Sequence, residues 1–450
     1  MSRGRRSAAT ASVLIVAIWL GSVSGERSLH ESQSKGPFSS RRALSFFPTP
    51  AHADTALFPA PYLASLRENT PILPDNELRA LWVVRDALTT PESVGRLIDF
   101  AVLTRTHMLF VQVRGRADSF YNSAIEPQSP LLKAPIADFD PLDYLLTLAH
   151  RNGIAVHAWL NVFLVWSDMS KSPPSGHLVA RHPDWLLTDA AGIRMDRMPS
   201  SRWKKAGAEG WFVSPGNRAM RAHMARVVNE LVSEYQIDGI HLDYIRYPNR
   251  EYSFDPATRA AFAVKWGVDP VEIAKGDRGA LQKVIGAGAL AIVDSLYNES
   301  RIANVDSMVL AIRAACLDKP LSAAVVADPF DARHDKGQDW ARWVNSGWMD
   351  FVVPMAYNFP PLELEHRAVV YNRSVGKDRW LMGLGVFDGR DEYLAEAVQV
   401  LREVGITGFS IFSYNALEKD GFGAGLLEEA LLPPDTSYVD EDDEDSDDDE

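Results

Sequence analysis

The sequence has 450 residues, 46% of them hydrophobic, which is enough for one large domain or two ordinary ones. Of the formal net charge of −14, residues 440–450 supply ten negative charges, so the rest of the chain is close to neutral. The sequence has no basic patch of the kind that would indicate a nucleic-acid partner. We expect residues 435–450 to form a disordered acidic tail, because like charges repel and the segment has no apolar surface to bury.

The first 25 residues have the pattern of a secretory signal peptide. Three arginines among the first six residues precede an apolar run, 11–21, and small residues follow it. The run is short for a membrane span, so we expect an exported protein, periplasmic or extracellular, with no stable span after cleavage. An uncleaved N-terminal anchor is the alternative. Residues 26–75 are rich in Ser, Pro and Arg and are expected to form a disordered linker.

The only cysteine is Cys316, which falls on a predicted helix. A chain with one cysteine has no intramolecular disulfide, so its domain must be held together by a hydrophobic core. We expect Cys316 to be a small buried residue and not a nucleophile.

Residues 76–434 are predicted to form one domain in which short apolar strands alternate with amphipathic helices. The predicted strands are 80–86, 108–114, 154–163, 237–247, 321–328, 351–358, 379–387 and 406–414. The predicted helices include one from Pro91 and those at 141–151, 217–235, 339–346, 392–403 and 425–431. Eight such repeats predict an α/β fold of the (β/α)8 TIM-barrel type. The alternative, an open doubly wound sheet, would need a glycine-rich phosphate turn, and none follows an early strand.

Two connections are long, residues 164–215 after the third strand and 249–320 after the fourth. Long connections in compact domains are usually functional. Both leave the carboxyl ends of strands, which is the face where barrels build their active sites.

The fourth predicted strand ends in a carboxylate. Along a strand the side chains alternate between two faces, so Gly239, His241 and Asp243 share one face and the other is apolar. Pro248 stops the strand soon after its charged end. Arg246 and nearby aromatic residues are expected to keep Asp243 ionised.

The second and third strands place further polar residues on one face, Gln112 and Arg114 on one strand and His157, Trp159 and Asn161 on the other. Burying polar groups is costly unless they are paired. We therefore expect them to bind sugar hydroxyls or to tune the acids. The alternative is a self-satisfied hydrogen-bond network that only fixes the strand register.

Cleavage of a glycosidic bond needs two carboxyl groups, one as acid and one as nucleophile or base. Six candidates lie near the predicted strand ends, namely Asp86, Asp118, Glu126, Asp243, Asp328 and Asp388. Asp243 is the first choice. Glu126, slightly favoured, and Asp328 compete for the second role.

The loop after the third strand holds four tryptophans, Trp166, Trp185, Trp203 and Trp211. Rings that the core does not need can stack on the apolar faces of sugars, although at least one, such as Trp185, is expected to pin the loop to the barrel. We expect no catalytic metal and no cofactor, because the first strand has no His-x-His pattern. A serine nucleophile is not expected, because no Gly-x-Ser-x-Gly elbow occurs.

A series of motifs then points to a known family. These motifs are FVQVR at 110–114, YNS at 121–123, EPQS at 126–129, HAWLN at 157–161, DGIHLDYIRYP at 238–248, QDW at 338–340 and DFVVPMAY at 350–357. In this order they resemble the glycosyl hydrolase-like 10 family across residues 75–432.

The resemblance implies an exported bacterial (β/α)8 protein related to glycoside hydrolases, and some members resemble enzymes that cut peptidoglycan glycan strands lacking stem peptides. It implies a catalytic role for Asp243 and supports Glu126. The family segment near Glu126 commonly reads Pro-Trp-Ser, whereas here Gln128 replaces the tryptophan and one ring for sugar stacking is missing.

The sequence thus predicts an exported glycoside hydrolase that acts on a polysaccharide, such as peptidoglycan glycan strands, through two carboxylates. Besides Asp243, Glu126 and Asp328, the expected substrate-binding residues are Gln112, Arg114, His157, Trp159, Asn161, Trp166, His241, Arg246 and Tyr357. A non-catalytic glycan-binding barrel and a metal-dependent cell-envelope hydrolase are the alternatives.

Overall fold

The computed structural model describes residues 62–69, 77–133, 138–168, 171–274, 286–386, 391–406 and 408–419. The predicted signal peptide, most of the predicted linker, the acidic tail, the predicted helix 425–431 and Asp388 lie outside these residues. A search of the described residues finds no helix that is long and apolar enough to cross a membrane.

The described residues contain ten strands, and eight of these form the barrel. They are β1 (Leu78–Val83), β2 (Met108–Arg114), β3 (Ala155–Asn161), β4 (Leu164–Trp166), β5 (Trp211–Phe212), β6 (Gly239–Asp243), β7 (Leu321–Val326), β8 (Phe351–Met355), β9 (Met382–Gly385) and β10 (Gly408–Phe412). The eight predicted strands all occur, most of them with shorter bounds than the sequence indicated. β4 and β5 form a separate two-stranded antiparallel sheet that was not predicted.

The helices surround the barrel and also fill the long connections. They are α1 (Tyr62–Asn69), α2 (Pro91–Leu103), α3 (Pro141–Arg151), α4 (Leu178–Arg181), α5 (Ser200–Lys205), α6 (Arg218–Glu234), α7 (Pro256–Trp266), α8 (Pro270–Ala274), α9 (Ala287–Ala315), α10 (Pro329–His334), α11 (Trp340–Asn345), α12 (Pro361–Val375), α13 (Asp391–Glu403) and α14 (Tyr414–Lys419). Proline occupies the first position of α2 and α3, where its missing N–H costs no hydrogen bond. Thr90 and Asp140 cap these two helices with their side chains.

The barrel is closed and parallel, in the order β1-β2-β3-β6-β7-β8-β9-β10, and β10 pairs again with β1. This closure confirms the predicted (β/α)8 fold and excludes the open sheet. All eight strands therefore end at one mouth, which is where the two long connections begin.

Alternating side chains divide the core into two layers. Large rings of Trp82, Phe110, Trp159 and Phe351 pack inside the barrel. Outward-facing side chains of the same strands pack against the helices in a larger cluster, which also contains the buried free Cys316, as predicted. The interior is thus filled with aromatic side chains, and room for a ligand remains only above them.

A β-bulge interrupts the pairing of β2 with β3. Gln112 lies opposite Trp159, but Arg114 lies opposite Leu160, so one extra residue is inserted between Gln112 and Arg114. Because side chains alternate, this insertion moves Arg114 from the inner face to the face of Leu160, which packs in the outer cluster. The prediction that Gln112 and Arg114 share the barrel interior is therefore wrong.

One part of the predicted linker is ordered against the barrel. Residues 62–69 form α1, where Leu63 is fully buried in the inner cluster and Tyr62 packs beside it. The Tyr62 ring stacks on Phe351 with centroids 6.0 Å apart. The prediction of a wholly disordered linker over residues 26–75 is thus wrong for these eight residues, because their apolar side chains contribute to the core.

Candidate active site

A cleft of about 610 Å³ lies at the carboxyl ends of the strands. Six aromatic side chains line it, those of Trp82, Trp159, Tyr244, Tyr357, Phe359 and Phe412. Seven charged side chains line it as well, those of Glu209, Asp243, Arg246, Asp328, Asp331, Glu363 and Arg367. The cleft therefore combines flat apolar surfaces with several carboxylates, as a sugar-cleaving site requires.

Asp243, at the end of β6, is the most buried carboxylate of the cleft, with 9% of its surface exposed. Its Oδ1 accepts a hydrogen bond of 2.6 Å from the backbone N–H of Tyr244. Burial raises the pKa of Asp243 to about 6, although the positive charge of Arg246 and the Tyr244 N–H act in the opposite direction. The expectation that Arg246 and the aromatic residues simply hold Asp243 ionised is therefore corrected, since desolvation is the larger effect.

The backbone turns sharply after Asp243. Tyr244 has a φ of 49°, in the left-handed region that a bulky residue adopts rarely. The turn brings the Tyr244 ring into the cleft and places the Arg246 guanidinium 4.9 Å above that ring. Strain of this kind persists only where surrounding contacts fix it, and it is concentrated at functional sites.

Arg246 links Asp243 to a carboxylate that the sequence reasoning missed. Its Nη2 donates to Oε1 of Glu209 over 2.9 Å, and it also interacts electrostatically with Asp243. The Arg246 side chain is 9% exposed, while that of Glu209 is 42% exposed. Glu209 lies in the long connection after β3, and no local motif marks it.

The aromatic part of the cleft comes from the barrel strands. Tyr357 stacks on Phe412 with centroids 5.5 Å apart and an angle of 27° between the rings. Both rings meet Trp82 edge to face. Tyr357 and Trp159 were predicted to bind substrate, and the structure places both in the cleft.

Asp328 also lines the cleft, but its oxygens are already occupied. Oδ1 caps α10 by accepting from the backbone N–H groups of Phe330 and Asp331, and Oδ2 accepts from Arg367 at 2.7 Å. The Arg367 guanidinium and these amides hold the pKa of Asp328 below its usual value against the effect of desolvation. Asp328 is therefore an ionised carboxylate at the edge of the site.

Glu126 does not line the cleft. Its side chain is fully buried, with Oε1 2.8 Å from Nη2 of Arg114 and 2.9 Å from Nε2 of His223 on α6. These partners outweigh desolvation and lower the pKa of Glu126 to about 2. A carboxylate buried between β2 and α6 cannot reach a sugar in the cleft, so the geometry assigns Glu126 and Arg114 a structural role instead of the predicted one.

The two interior histidines are also structural. His157 is fully buried, and its Nε2 lies 2.9 Å from the hydroxyl of Tyr62 on α1. His241 Nε2 accepts from Trp82 Nε1 at 3.0 Å, and its Nδ1 lies 2.9 Å from Ser322 Oγ. Burial lowers the pKa of both rings, to about 4 for His157, so they stay neutral. Neither lines the cleft, which corrects the prediction that they bind substrate.

Gln112 and Asn161 form the self-satisfied network that was considered as the alternative. Gln112 accepts from Arg85 and donates to Asn161 Oδ1 at 3.4 Å, and the same Oδ1 accepts from Trp159 Nε1 at 2.9 Å. Asn161 Nδ2 donates to the Gly115 carbonyl. The network lies beneath the cleft and orients the Trp159 indole, so its members act on the site only through that ring.

The four tryptophans of the long loop do not line the cleft. Trp203 is 1% exposed and Trp166 5% exposed, and the indole N–H of Trp166 donates to the Asp168 carbonyl at 2.8 Å. Trp185 stacks on His182 at 4.3 Å. The prediction that Trp166 contacts a sugar is corrected for this reason. Trp203 belongs to the outer core cluster, and Trp185 and Trp211 pack against it, so these rings hold the loop to the barrel.

The remaining candidates lie elsewhere. Asp86 is exposed in a short 3-10 helix after β1. Asp118 Oδ1 accepts a hydrogen bond from the backbone N–H of Arg116. Among the described residues, no group of three or more His, Cys, Asp or Glu side chains has the arrangement needed to hold a metal ion.

Known proteins with related sequences carry glycosyl hydrolase names. "Glycosyl hydrolase YngK" of Bacillus subtilis (strain 168) is 25% identical over 212 residues, which are 43% of this chain and 37% of that protein. "Glycosyl hydrolase DigH" of Escherichia coli (strain K12) is 25% identical over 278 residues, 55% of this chain and 54% of that protein. The chain thus spans about half or less of the length of these relatives.

The fold is shared with solved glycoside hydrolase structures. The glycoside hydrolase domain of PgaB (BpsB) from Bordetella bronchiseptica superposes with a TM-score of 0.57 at 16% identity, covering 80% of this chain and 100% of that domain. At this identity the likeness shows the barrel alone. Residues 77–373, which span β1 to most of α12, match the family described as glycosyl hydrolase-like 10, and the chain belongs to that family.

Proposed function

We propose that the protein is a glycoside hydrolase that cleaves a polysaccharide, with Asp243 as an essential carboxyl group. The observation that carries this proposal is the buried Asp243 carboxyl at the barrel mouth, facing a cleft lined by six aromatic rings. Membership of a glycosyl hydrolase-like family supports it.

The raised pKa of Asp243 suits proton donation. At a pKa of about 6 the carboxyl carries a proton in mildly acidic solution, whereas an ordinary aspartate does not. The proton passes to the glycosidic oxygen while positive charge develops at the anomeric carbon. The other acidic side chains that line the cleft then stabilise that positive charge.

The substrate that we propose is a glycan strand of peptidoglycan outside the cytoplasm. The N-terminal signal-peptide pattern supports export. The partly exposed rings of Tyr357 and Phe359 offer flat apolar surfaces to sugar rings, and Asp331 at the edge of the same cleft is exposed to solvent.

The test uses the full mature chain incubated with purified peptidoglycan, with and without prior removal of the stem peptides, followed by mass analysis of the released products. The expected result is soluble glycan fragments, with greater yield after peptide removal, and none from the Asp243→Asn variant when its circular dichroism spectrum is unchanged.

Co-sedimentation with the glycan, without release of fragments, would instead identify a glycan-binding barrel. Loss of product in the presence of a chelator would indicate a metal-dependent hydrolase. An unchanged rate in Asp243→Asn would remove this residue from the mechanism.

A further inference from the structure

We infer that Glu209 is the second catalytic carboxylate, which acts opposite Asp243 in the same cleft. This inference rests on the proposed function. Glu209 lines the cleft together with Asp243, and the Arg246 guanidinium interacts with both carboxyl groups. The two acids thus share one buried cation, and no other carboxylate in the cleft has that relationship to Asp243 among the described contacts.

The environments of the two acids differ in the way that acid and base roles require. Asp243 is 9% exposed, whereas the Glu209 side chain is 42% exposed and accepts a charge-assisted hydrogen bond of 2.9 Å from Arg246. Burial raises the pKa of Asp243 and favours its protonated form, whereas Glu209 is open to the solvent that supplies the attacking water. An enclosed acid and a solvent-facing carboxylate in one cleft suit the two roles that glycoside cleavage requires.

Glu209 is held in place although it lies in a loop. Its neighbour Gly210 is packed so closely that an added Cβ would lie 2.2 Å from the Trp166 carbonyl oxygen. Trp211 follows in β5, which pairs with Trp166 in β4 directly after the barrel strand β3. The two-stranded sheet of β4 and β5 therefore fixes the segment that carries Glu209 at the barrel mouth.

The preceding residues are anchored as well. Trp203 is buried, and its carbonyl accepts from the Ala208 N–H at 2.9 Å. The Asn249 side chain donates to the Ala206 carbonyl, which ties this segment to the connection that follows β6. The tryptophan-rich loop thus contributes to the site by delivering Glu209 and not by stacking on sugar.

The competing carboxylates are less suited. Glu126 is sealed between β2 and α6 with Arg114 and His223. Asp328 accepts two backbone N–H bonds and an Arg367 bond, so a reaction at this oxygen pair would uncap α10. Glu363 is held by the same Arg367 at 3.0 Å. Glu209 has a single guanidinium partner and substantial exposure to the cleft.

The proposed reaction consumes one water for each bond cleaved. Asp243 donates its proton to the glycosidic oxygen as the bond between this oxygen and the anomeric carbon breaks. Glu209 either removes a proton from the water that attacks this carbon, or attacks the carbon itself and is then released by water. In both cases the water supplies OH to the anomeric carbon. In the first case its proton ends on Glu209, and the starting states return when Glu209 releases a proton to solvent and Asp243 takes one up. In the second case the deprotonated Asp243 takes the water proton directly, and Glu209 leaves the sugar as a carboxylate.

The decisive variants are Glu209→Gln and Glu209→Ala, assayed on the glycan that the wild-type protein cleaves. Gln still accepts a hydrogen bond from Arg246 but cannot act as a base or nucleophile, so kcat should fall by at least about a hundredfold while the melting temperature is retained. Sodium azide should restore activity to Glu209→Ala, because the small anion fills the space and replaces the lost carboxylate. Glu299→Gln is the matched control, since Glu299 is 48% exposed, pairs with Arg333 at 2.7 Å and does not line the cleft.

Retention of more than about a tenth of the wild-type kcat in Glu209→Gln would overturn the inference, since the loss of a catalytic base is larger. Absence of azide rescue in a folded Glu209→Ala would overturn it too, because a residue that only positions Arg246 is not replaced by azide. If the wild-type protein is active, either result leaves the proposed function standing. If the wild-type protein releases no product from any glycan, the proposed function and the role of Glu209 both fail.

Discussion

The hydroxyl of Tyr62 lies 2.9 Å from Nε2 of His157 and joins a helix that precedes the barrel to the third barrel strand. Leu63, the next residue, is fully buried in the inner core. The His157 ring also packs closely on β6, because a Cβ added at Gly239 would lie 2.4 Å from its Cε1. Helix α1 therefore acts as part of the barrel core.

Removal of α1 should destabilise the barrel. A chain that begins at residue 75 loses the buried Leu63 and the Tyr62 ring, at a cost of about 3–5 kcal/mol in the free energy of unfolding. A chain that begins at residue 59 retains both and is the control. Chemical denaturation of the two truncated proteins measures the difference. Equal unfolding midpoints would show that α1 does not contribute to the core.

Asp243→Asn should stabilise the protein in a pH-dependent manner. The folded pKa of Asp243 is about 6 and its ordinary value is 3.8, so the folded state holds the proton to higher pH than the unfolded state does. The stability that comes from this difference is present below about pH 4 and is lost as the pH rises through about 6. Asn cannot ionise, so the stability gain of the variant over wild type should grow by about 2 to 3 kcal/mol from pH 4 to pH 7 and then level off.

Denaturation curves at four pH values check this dependence. Asp306→Asn is a useful control, because burial also raises the pKa of Asp306 to about 6 although Asp306 lies outside the cleft and bonds to Trp343. It should show the same pH trend and retain full glycan cleavage. A stability difference between Asp243→Asn and wild type that does not change with pH would contradict the raised pKa of Asp243.

Glu126→Gln should lower the free energy of unfolding and leave kcat for glycan cleavage nearly unchanged. The substitution leaves Arg114 as a buried charge without its counter-ion, which costs about 3–5 kcal/mol. Because partners lower the pKa of Glu126 to about 2, its contribution is present above its ordinary pKa and is lost as the pH falls toward 2. The difference in free energy of unfolding between wild type and Glu126→Gln should therefore become smaller below pH 4.5.

The measurements for this variant are the unfolding midpoint and kcat at a temperature where the variant is still folded. We expect a large fall in the unfolding midpoint. We expect kcat to change by less than about threefold, because Glu126 touches no part of the cleft. A normal unfolding midpoint together with a lost kcat would restore Glu126 as the catalytic partner.

The architecture could be predicted because it depends on local pattern. Each barrel strand is a short apolar run followed by an amphipathic helix, and eight such repeats leave few topologies. The position of Asp243 could be predicted for the same reason, since a polar residue at the end of a buried strand must face the barrel mouth. Strand existence and strand order thus follow from information that lies within a few tens of residues.

The rest of the site depends on contacts that no local pattern reveals. One inserted residue between Gln112 and Arg114 reverses the face of Arg114, and Glu126 is buried with it. Glu209 reaches the cleft only because Gly210 permits close packing against Trp166. Composition indicated that the loop tryptophans were free for sugar, but Trp203 is buried in the outer core cluster and holds the loop against the barrel.

The last prediction concerns the aromatic edge of the cleft. Phe359 lines the cleft beneath the Arg367 guanidinium, which lies 5.2 Å from its ring centroid. A ring in this position can stack on a sugar distant from the cleaved bond, and such stacking contributes about 1 kcal/mol. Because the contact is made equally in the ground state and the transition state, Phe359→Ala should raise KM about fivefold and leave kcat within about twofold.

Leu362 is the matched control for this prediction. It lies three residues further on, at the start of α12, is 81% exposed and does not line the cleft. Steady-state kinetics on glycan oligomers of increasing length should show the KM effect of Phe359→Ala only with oligomers long enough to reach the ring, and no effect of Leu362→Ala at any length. Neither substitution removes Asp328 or Glu363, the two carboxylates that bind Arg367. Equal KM values for wild type and Phe359→Ala with the longest oligomer would show that the glycan leaves the cleft by another side.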